Sequence, residues 1–136
     1  MHALLSIKPK YVEAILHGRK RYEFRKSIFK KRNIEKVFIY STSPERKIVG
    51  AFAISVIIQD HPINLWCQLG ALSGLNASEF FSYFSSNDTG FAIQIDDLRK
   101  FEYPIDPVNL IPNFIPPQSF YYLNSDTLFL LSPFLE

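Results

Sequence analysis

One stretch gathers the residue types that bind and transfer charge: Gly18–Lys26, GRKRYEFRK. It holds five Lys/Arg in nine positions and a single carboxylate, Glu23. Tyr22 and Phe24 alternate with Arg21, Glu23 and Arg25, the period of a β-strand entered by a tight turn. The aromatic pair would face a core and the charged set the opposite side. Two chemistries fit. One is a half-buried strand with a solvated charged face. The other is an anion-binding site in which Glu23 orients the cations or does acid–base work.

Spacing limits the second option. Lys20 and Glu23 are three residues apart, so a regular strand sends them to opposite faces. They share a cleft only if Lys20 still belongs to the turn after Gly18, or if a bulge intervenes. Glu23 and Arg25, two apart, lie on one face and can touch, as a structural ion pair or as part of a site. In the functional version Lys20 and Arg25 hold a phosphate or a base carbonyl, while Glu23 accepts an exocyclic amine or fixes the arginine fork. Lys20 and Glu23 are also the catalytic candidates, and Lys8 and Lys26 flank them as further ligand-binding cations. Tyr40, Ser41 and Thr42 end a neighbouring strand and can add hydroxyl contacts. Gln118 and Ser119 either cap the cleft or tie down a proline-rich crossing.

The elements that must position these residues can be read in order. Ala3–Ile7 is a short apolar strand, ended by Lys8-Pro9. Pro9 suits a first helical position. Tyr11, Val12, Ile15 and Leu16 form one helical face, and Gly18 stands where a helix stops, so Pro9–His17 is a short helix. Lys30-Lys31-Arg32-Asn33 is a basic loop, solvated or in contact with phosphate. Lys36–Ser41 is a strand, Ser43–Arg46 a hairpin turn, and Ile48–Ile58 a longer strand with Phe52, Ile54, Val56 and Ile58 on one face. Gly50 marks a bulge or a close approach. Pro62–Gly70 is a helix with Leu65, Trp66 and Leu69 on a face. Asn76 or Ser78 caps a second, Ala77–Phe84, whose apolar stripe is Phe80, Phe81 and Phe84. Gly90–Ile95 and Phe101–Ile105 are strands. Five prolines between Pro104 and Pro117 make an irregular run. Gln118–Leu123 is expected as a turn of helix, and Thr127–Leu131 as a strand closing the sheet.

About six strands and three short helices, without regular βαβ alternation, indicate an α+β domain on a curled or closed, mostly antiparallel sheet. Phe24, Ile39, Phe52, Ile54 and Ile93 are expected inside it. No internal repeat or boundary divides the chain, so residues 1–136 are expected to form one domain.

Composition narrows the function classes. Lys8–Lys47 carries 13 Lys/Arg against 4 Asp/Glu, while the rest of the chain is acidic, for a net charge of only +2. Such segregation suggests a basic face for a polyanion. The lone cysteine, Cys67, permits no intrachain disulfide and no cysteine metal site, and beside Trp66 it is expected to be buried. His2, His17 and His61 lack metal-ligand spacing, so neither metal nor cofactor is expected. The start of the chain lacks a signal-peptide core and no run is long enough to span a membrane, which suggests a reducing, cytoplasmic setting.

These segments together resemble the ASCH domain family, named for homology to activating signal cointegrator. The resemblance rests on Leu5-Ser6-Ile7-Lys8-Pro9, the helix through Tyr11 and Ile15, and the pattern G-x-K-x-x-E-x-R at Gly18, Lys20, Glu23 and Arg25. Val37–Thr42, Ile48–Phe52, Gly90–Ile95 and Pro116–Phe120 are similar to a bacterial and archaeal branch described as predicted transcriptional regulators. The resemblance implies a PUA-like β-barrel with a cleft beside it, lined by the motif, for RNA or a nucleotide-like ligand. Some small members are amidohydrolases of N4-acetylcytidine, using the lysine that matches Lys20, a threonine three positions later and a downstream glutamate. Here that threonine position is Glu23, and no carboxylate lies between Asp60 and Glu79. Other members are ribonucleases. The resulting expectation is an RNA-binding regulatory module rather than an enzyme. The alternatives are an enzyme on RNA or a modified nucleoside, or a protein-interaction domain with a protein partner.

Overall fold

A computed structural model describes residues 1–31 and 33–135. Arg32, part of the basic loop, lies outside the described residues. The elements in chain order are β1 (His2–Ile7), α1 (Pro9–Leu16), β2 (Tyr22–Arg25), β3 (Lys36–Ser41), β4 (Lys47–Asp60), α2 (Pro62–Leu69), α3 (Ala77–Phe84), β5 (Gly90–Ile105), β6 (Phe120–Leu123) and α4 (Ser125–Leu131). The strands form one curled sheet in the order β2-β5-β4-β3-β1-β6. All neighbours are antiparallel except β1 and β3, which run parallel. The fold is thus α+β on a half-closed mixed barrel, with β2 and β6 at its two free edges.

Period-two alternation splits the apolar residues of β1 and β3 between two buried faces. Ala3, Leu5, Ile7, Val37 and Ile39 face the inside of the curl with Phe52, Ile93 and the Val12 and Ile15 side of α1. Leu4, Phe38 and Tyr40 face the outside, where Phe101, Ile105 and Leu131 cover them. A third cluster packs Tyr22 and Phe24 of β2 against Leu65, Phe80 and Phe84 of α2 and α3.

Helix starts follow local chemistry. Pro9 occupies the first turn of α1, and the His61 side chain accepts the Ile63 amide at α2. Asn76 caps α3 in a reciprocal box with Glu79. Gly50 carries both of its alternatives: the β4–β5 register shifts between Ile48 and Gly50, and an added Cβ would lie 2.6 Å from the Arg99 carbonyl oxygen.

Several expectations are corrected. Phe120–Leu123 is strand β6, paired with β1 from Leu5↔Phe120 to His2↔Leu123, rather than a helical turn. Its aromatic content fits a strand better than a helix. Thr127–Leu131 lies in α4 rather than closing the sheet: Asn124 caps it and Thr127 and Leu131, four apart, are its buried side. Phe101–Ile105 continues β5. The β4–β5 register shifts between Ile54 and Ile57, which reverses the alternation there. Val56 is therefore 44% exposed, while the half-buried Ile54 and Ile57 both reach the inner core. Phe24 is buried, but against the Phe80 ring at 5.0 Å rather than inside the curl. Cys67 and Phe81 are exposed, each on a helix face turned from the core. No described helix is long and apolar enough to cross a membrane.

Candidate functional site

The end of α1 sets the first residue. Gly18 adopts φ +80°, and the Arg19 and Lys20 amides both return to the Ala14 carbonyl at 3.0 and 3.1 Å. Lys20 therefore belongs to the turn, and β2 begins only at Tyr22. Its side chain escapes the strand alternation and reaches the side on which Glu23 points. Glu23 and Arg25, two apart on β2, share the strand face opposite that of Phe24.

The three charges form a continuous buried array. The Lys20 Nζ donates to the Ser73 carbonyl at 2.8 Å and lies 3.5 Å from Glu23 Oε1. The other oxygen, Oε2, is 3.0 Å from Arg25 Nη2. Nη2 also donates to the Ser6 carbonyl at 3.0 Å, and Nη1 to Ser119 Oγ at 3.2 Å. Ser6 lies on β1 and Ser119 immediately precedes β6, so the guanidinium spans the gap between the two ends of the sheet. Ser6 holds the far side of that gap through its amide to the Ser119 carbonyl and its hydroxyl to the Pro117 carbonyl. Among the described residues, Arg25 Nε has no hydrogen-bond partner.

These groups form the floor of a cavity of about 610 Å³. Lys20 is 3% exposed and Glu23 6%. The walls come from Lys8 and Tyr11 at α1, from Glu79, Ser82 and Tyr83 on α3, and from Ser6, Thr42, Leu75 and Gln118. Burial pushes the Lys20 ammonium below its ordinary range; Glu23 opposes this and Arg25 adds to it. Burial also raises the Tyr83 hydroxyl against the nearby positive charge of Arg25. The Lys20 ammonium lies 5.7 Å from the Tyr11 ring centre and 5.2 Å from that of Phe24, so its stem is walled by aromatics. Among the described residues no group of three His, Cys, Asp or Glu is placed to hold a metal ion.

Of the residues singled out from sequence, Lys8, Lys20, Glu23, Arg25, Thr42 and Gln118 line this cavity. Ser119 does not line it but holds Arg25. Lys26 does not line it either; its ammonium lies 4.9 Å from the centre of the ring of Tyr83, which does. Tyr40 is turned away: it is buried on the outer face of the sheet against the Phe114 ring. Strand alternation explains this, because Tyr40 shares the face of Phe38. Ser41 is fully buried, its hydroxyl has no partner among the described residues, and it does not line the cavity. Of the two alternatives for the charged side of β2, a solvated face does not hold for Glu23 and Arg25, because α1, α3 and the Pro117–Ser119 crossing close over them. Sequence reasoning did not single out Ser6, Tyr11, Glu79, Ser82 and Tyr83. One signal was available: Tyr83 falls off the Phe80–Phe84 stripe of α3 and so points elsewhere.

The profile of the ASCH domain family matches residues 5–97. A Zymomonas mobilis protein named "ASCH domain-containing ribonuclease" is 29% identical over 130 residues, which is 91% of this chain and 85% of that protein. The ATP synthase subunit alpha of Ureaplasma parvum serovar 3 is 28% identical over 121 residues, 88% of this chain but only 15% of that protein. The crystal structure of ASCH from Zymomonas mobilis superposes with a TM-score of 0.90 at 27% identity, covering 97% of this chain and 94% of that one. A serine-to-alanine mutant of the Zymomonas protein superposes with a TM-score of 0.89 at 26% identity, over 97% and 94% of the two chains.

Proposed function

This chain belongs to the ASCH domain family, and on that premise we propose that its cleft binds single-stranded RNA by admitting one unstacked base, in a module that regulates rather than degrades RNA. An RNA-related role is supported by the ribonuclease name of the Zymomonas relative. The observation that carries the finer reading is the enclosure of Lys20, Glu23 and Arg25 on one cavity floor. A phosphate on the rigid backbone of a duplex cannot descend to groups buried this deeply. The edge of an unstacked base can, and single-stranded RNA is read in this way. The floor offers what such an edge needs, cationic donors from Lys20 and Arg25 beside the carboxylate acceptor of Glu23. Lys8 on the cavity wall and Lys26 beside Tyr83 would take backbone phosphates, with Tyr11 and Tyr83 as aromatic walls.

A second reading, RNA cleavage, is favoured by the name of that relative and by the Lys20 ammonium. An amine held below its ordinary range exchanges protons more readily near neutral pH. Hydrolysis of N4-acetylcytidine fits less well. Glu23 occupies the threonine position, and both its oxygens face cations.

The test compares a short single-stranded RNA with the duplex of the same sequence by fluorescence anisotropy at two salt concentrations. Product gels are run on the same samples. Tighter, salt-sensitive binding of the single strand, with the RNA left intact, is expected. Equal affinity for duplex and single strand overturns base insertion. Multiple turnover that is lost in Lys20→Met moves the function to cleavage.

A further inference from the structure

A lysine side chain is long and mobile, yet Lys20 is fixed in one place by a loop with no ionisable group of its own. The loop follows α2. A single 3-10 turn, Gly70–Leu72, leads into Ser73, which is fully buried. The Ser73 hydroxyl donates to the Gly70 carbonyl at 2.7 Å and accepts the Leu75 amide at 3.1 Å. The Leu72 carbonyl accepts the Arg21 amide at 2.8 Å, which fastens the loop to the residue after Lys20. Held in this way, the Ser73 carbonyl is the 2.8 Å acceptor for Lys20 Nζ.

Gly74 completes the contact. Its φ of +71° is a conformation that L side chains rarely adopt. An added Cβ would also lie 2.8 Å from Lys20 Cβ and 3.3 Å from Ala14 Cβ. The loop backbone therefore lies directly along the base of the Lys20 stem. Two demands, the conformation and the close approach, fall on one residue, and both concern the placement of Lys20.

We propose that Ser73 and Gly74 are positioning residues of the cleft: the loop clamps the Lys20 stem and aims its ammonium at Glu23. An ammonium has three N–H groups. Ser73 and Glu23 take two, and the third is left for an acceptor atom of a ligand in the cavity, a base carbonyl or phosphate oxygen. The inference rests on the cleft assigned above. It adds that the register of Lys20 is set by a loop that need not touch the ligand.

The experiment follows the titration of Lys20 by NMR in RNA-free protein, in wild type, Gly74→Ala and Ser73→Ala. The charged and titratable groups around Lys20 are Glu23 and Arg25 from β2, Lys8 and Tyr11 at the start of α1, and Glu79, itself paired with Lys10, and Tyr83 from α3. None is altered by these variants. In wild type Lys20 titrates below an ordinary lysine. Gly74→Ala displaces the stem toward water, so its titration moves up toward the usual value of about 10.4 while other lysines stay put. Ser73→Ala, which keeps the backbone carbonyl but frees it, gives a smaller shift in the same direction and serves if the glycine variant does not fold. Affinity for single-stranded RNA falls by about ten- to a hundredfold in Gly74→Ala, the span for one hydrogen bond to a charged group. An unchanged Lys20 titration in the folded variants overturns the clamp. A shifted titration with RNA affinity retained overturns its role in the cleft. If wild type binds no RNA but the Lys20 titration shifts, the clamp stands and the RNA reading falls.

Discussion

Glu23→Gln is the most searching perturbation of the cleft, because it removes one charge from between two and leaves the shape. Glu23 Oε1 lies 3.5 Å from the Lys20 ammonium and Oε2 lies 3.0 Å from the Arg25 guanidinium. At an effective dielectric constant of about 20, Coulomb's law gives roughly 5 kcal/mol for each contact, most of it offset by desolvation. What the variant loses is the compensation of two enclosed cations. Removing one partner of a buried pair costs about 3–5 kcal/mol, which for a domain of this size lowers Tm by roughly 10–20 °C. Lys20 has an escape, and it gives the loss a pH signature. Glu23 opposes the downward shift of Lys20; without it, burial and Arg25 act alone and both favour the neutral amine. In the unfolded chain the same lysine keeps its proton up to about pH 10. Between the two values the unfolded state binds more protons, so stability rises with pH, and this window is wider in the variant. The deficit is therefore largest at pH values where Lys20 is charged in both proteins and shrinks as pH rises toward the ordinary lysine range. Calorimetric melts of both proteins across that range measure it. A deficit below about 1 kcal/mol, the value for an exposed pair, or one that is flat or grows with pH, refutes a buried compensated array.

Three further outcomes are expected. Phe52→Ala removes a fully buried ring from inside the curl and should cost about 3–5 kcal/mol in urea unfolding. Reversing Lys30 and Lys31 to Glu should weaken all single-stranded RNA sequences alike and reduce the salt slope by about one unit or more, since phosphate contacts carry little sequence information. Arg25→Lys keeps the charge but cannot reach Glu23, Ser6 and Ser119 at once, so amide exchange should speed up in β2 and in the crossing before β6 while the centre of the sheet stays protected.

Much of the fold was legible because its signals are local. Pro9 and Gly18 bracket α1; Asn76, one of the two candidate caps, starts α3; and β-branched and aromatic content marks β3. The misreadings lie where partners decide. Phe120–Leu123 has the composition of a strand, but it needs β1, more than a hundred residues earlier in sequence, before it can be one. Thr127–Leu131 is an apolar run of a length that suits either a strand or a helix, and the Asn124 cap settles it. Val56 lost its expected place to a register shift that only the pairing with β5 specifies.

The charged residues of the cleft divide along the same line. That Lys20 could join Glu23 followed from Gly18, because a helix that ends in a left-handed residue delays the strand. That Glu23 and Arg25 would be enclosed did not follow. A period of two sorts side chains by face and says nothing of what covers the second face. Here the cover comes from the far end of the chain, where Pro117 and Ser119 meet Ser6 and the Arg25 fork. The sheet does not close by pairing β2 with β6, and Arg25 spans the gap with hydrogen bonds to both sides. A charged group can stay there only because Glu23 compensates it. In the proposed reading Glu23 would accept a ligand donor through the part of each carboxylate oxygen that Lys20 and Arg25 leave unused. The same opening that leaves the barrel half-closed therefore creates the cavity, and under the proposed RNA reading the residues that stabilise the opening are the ones a ligand would address.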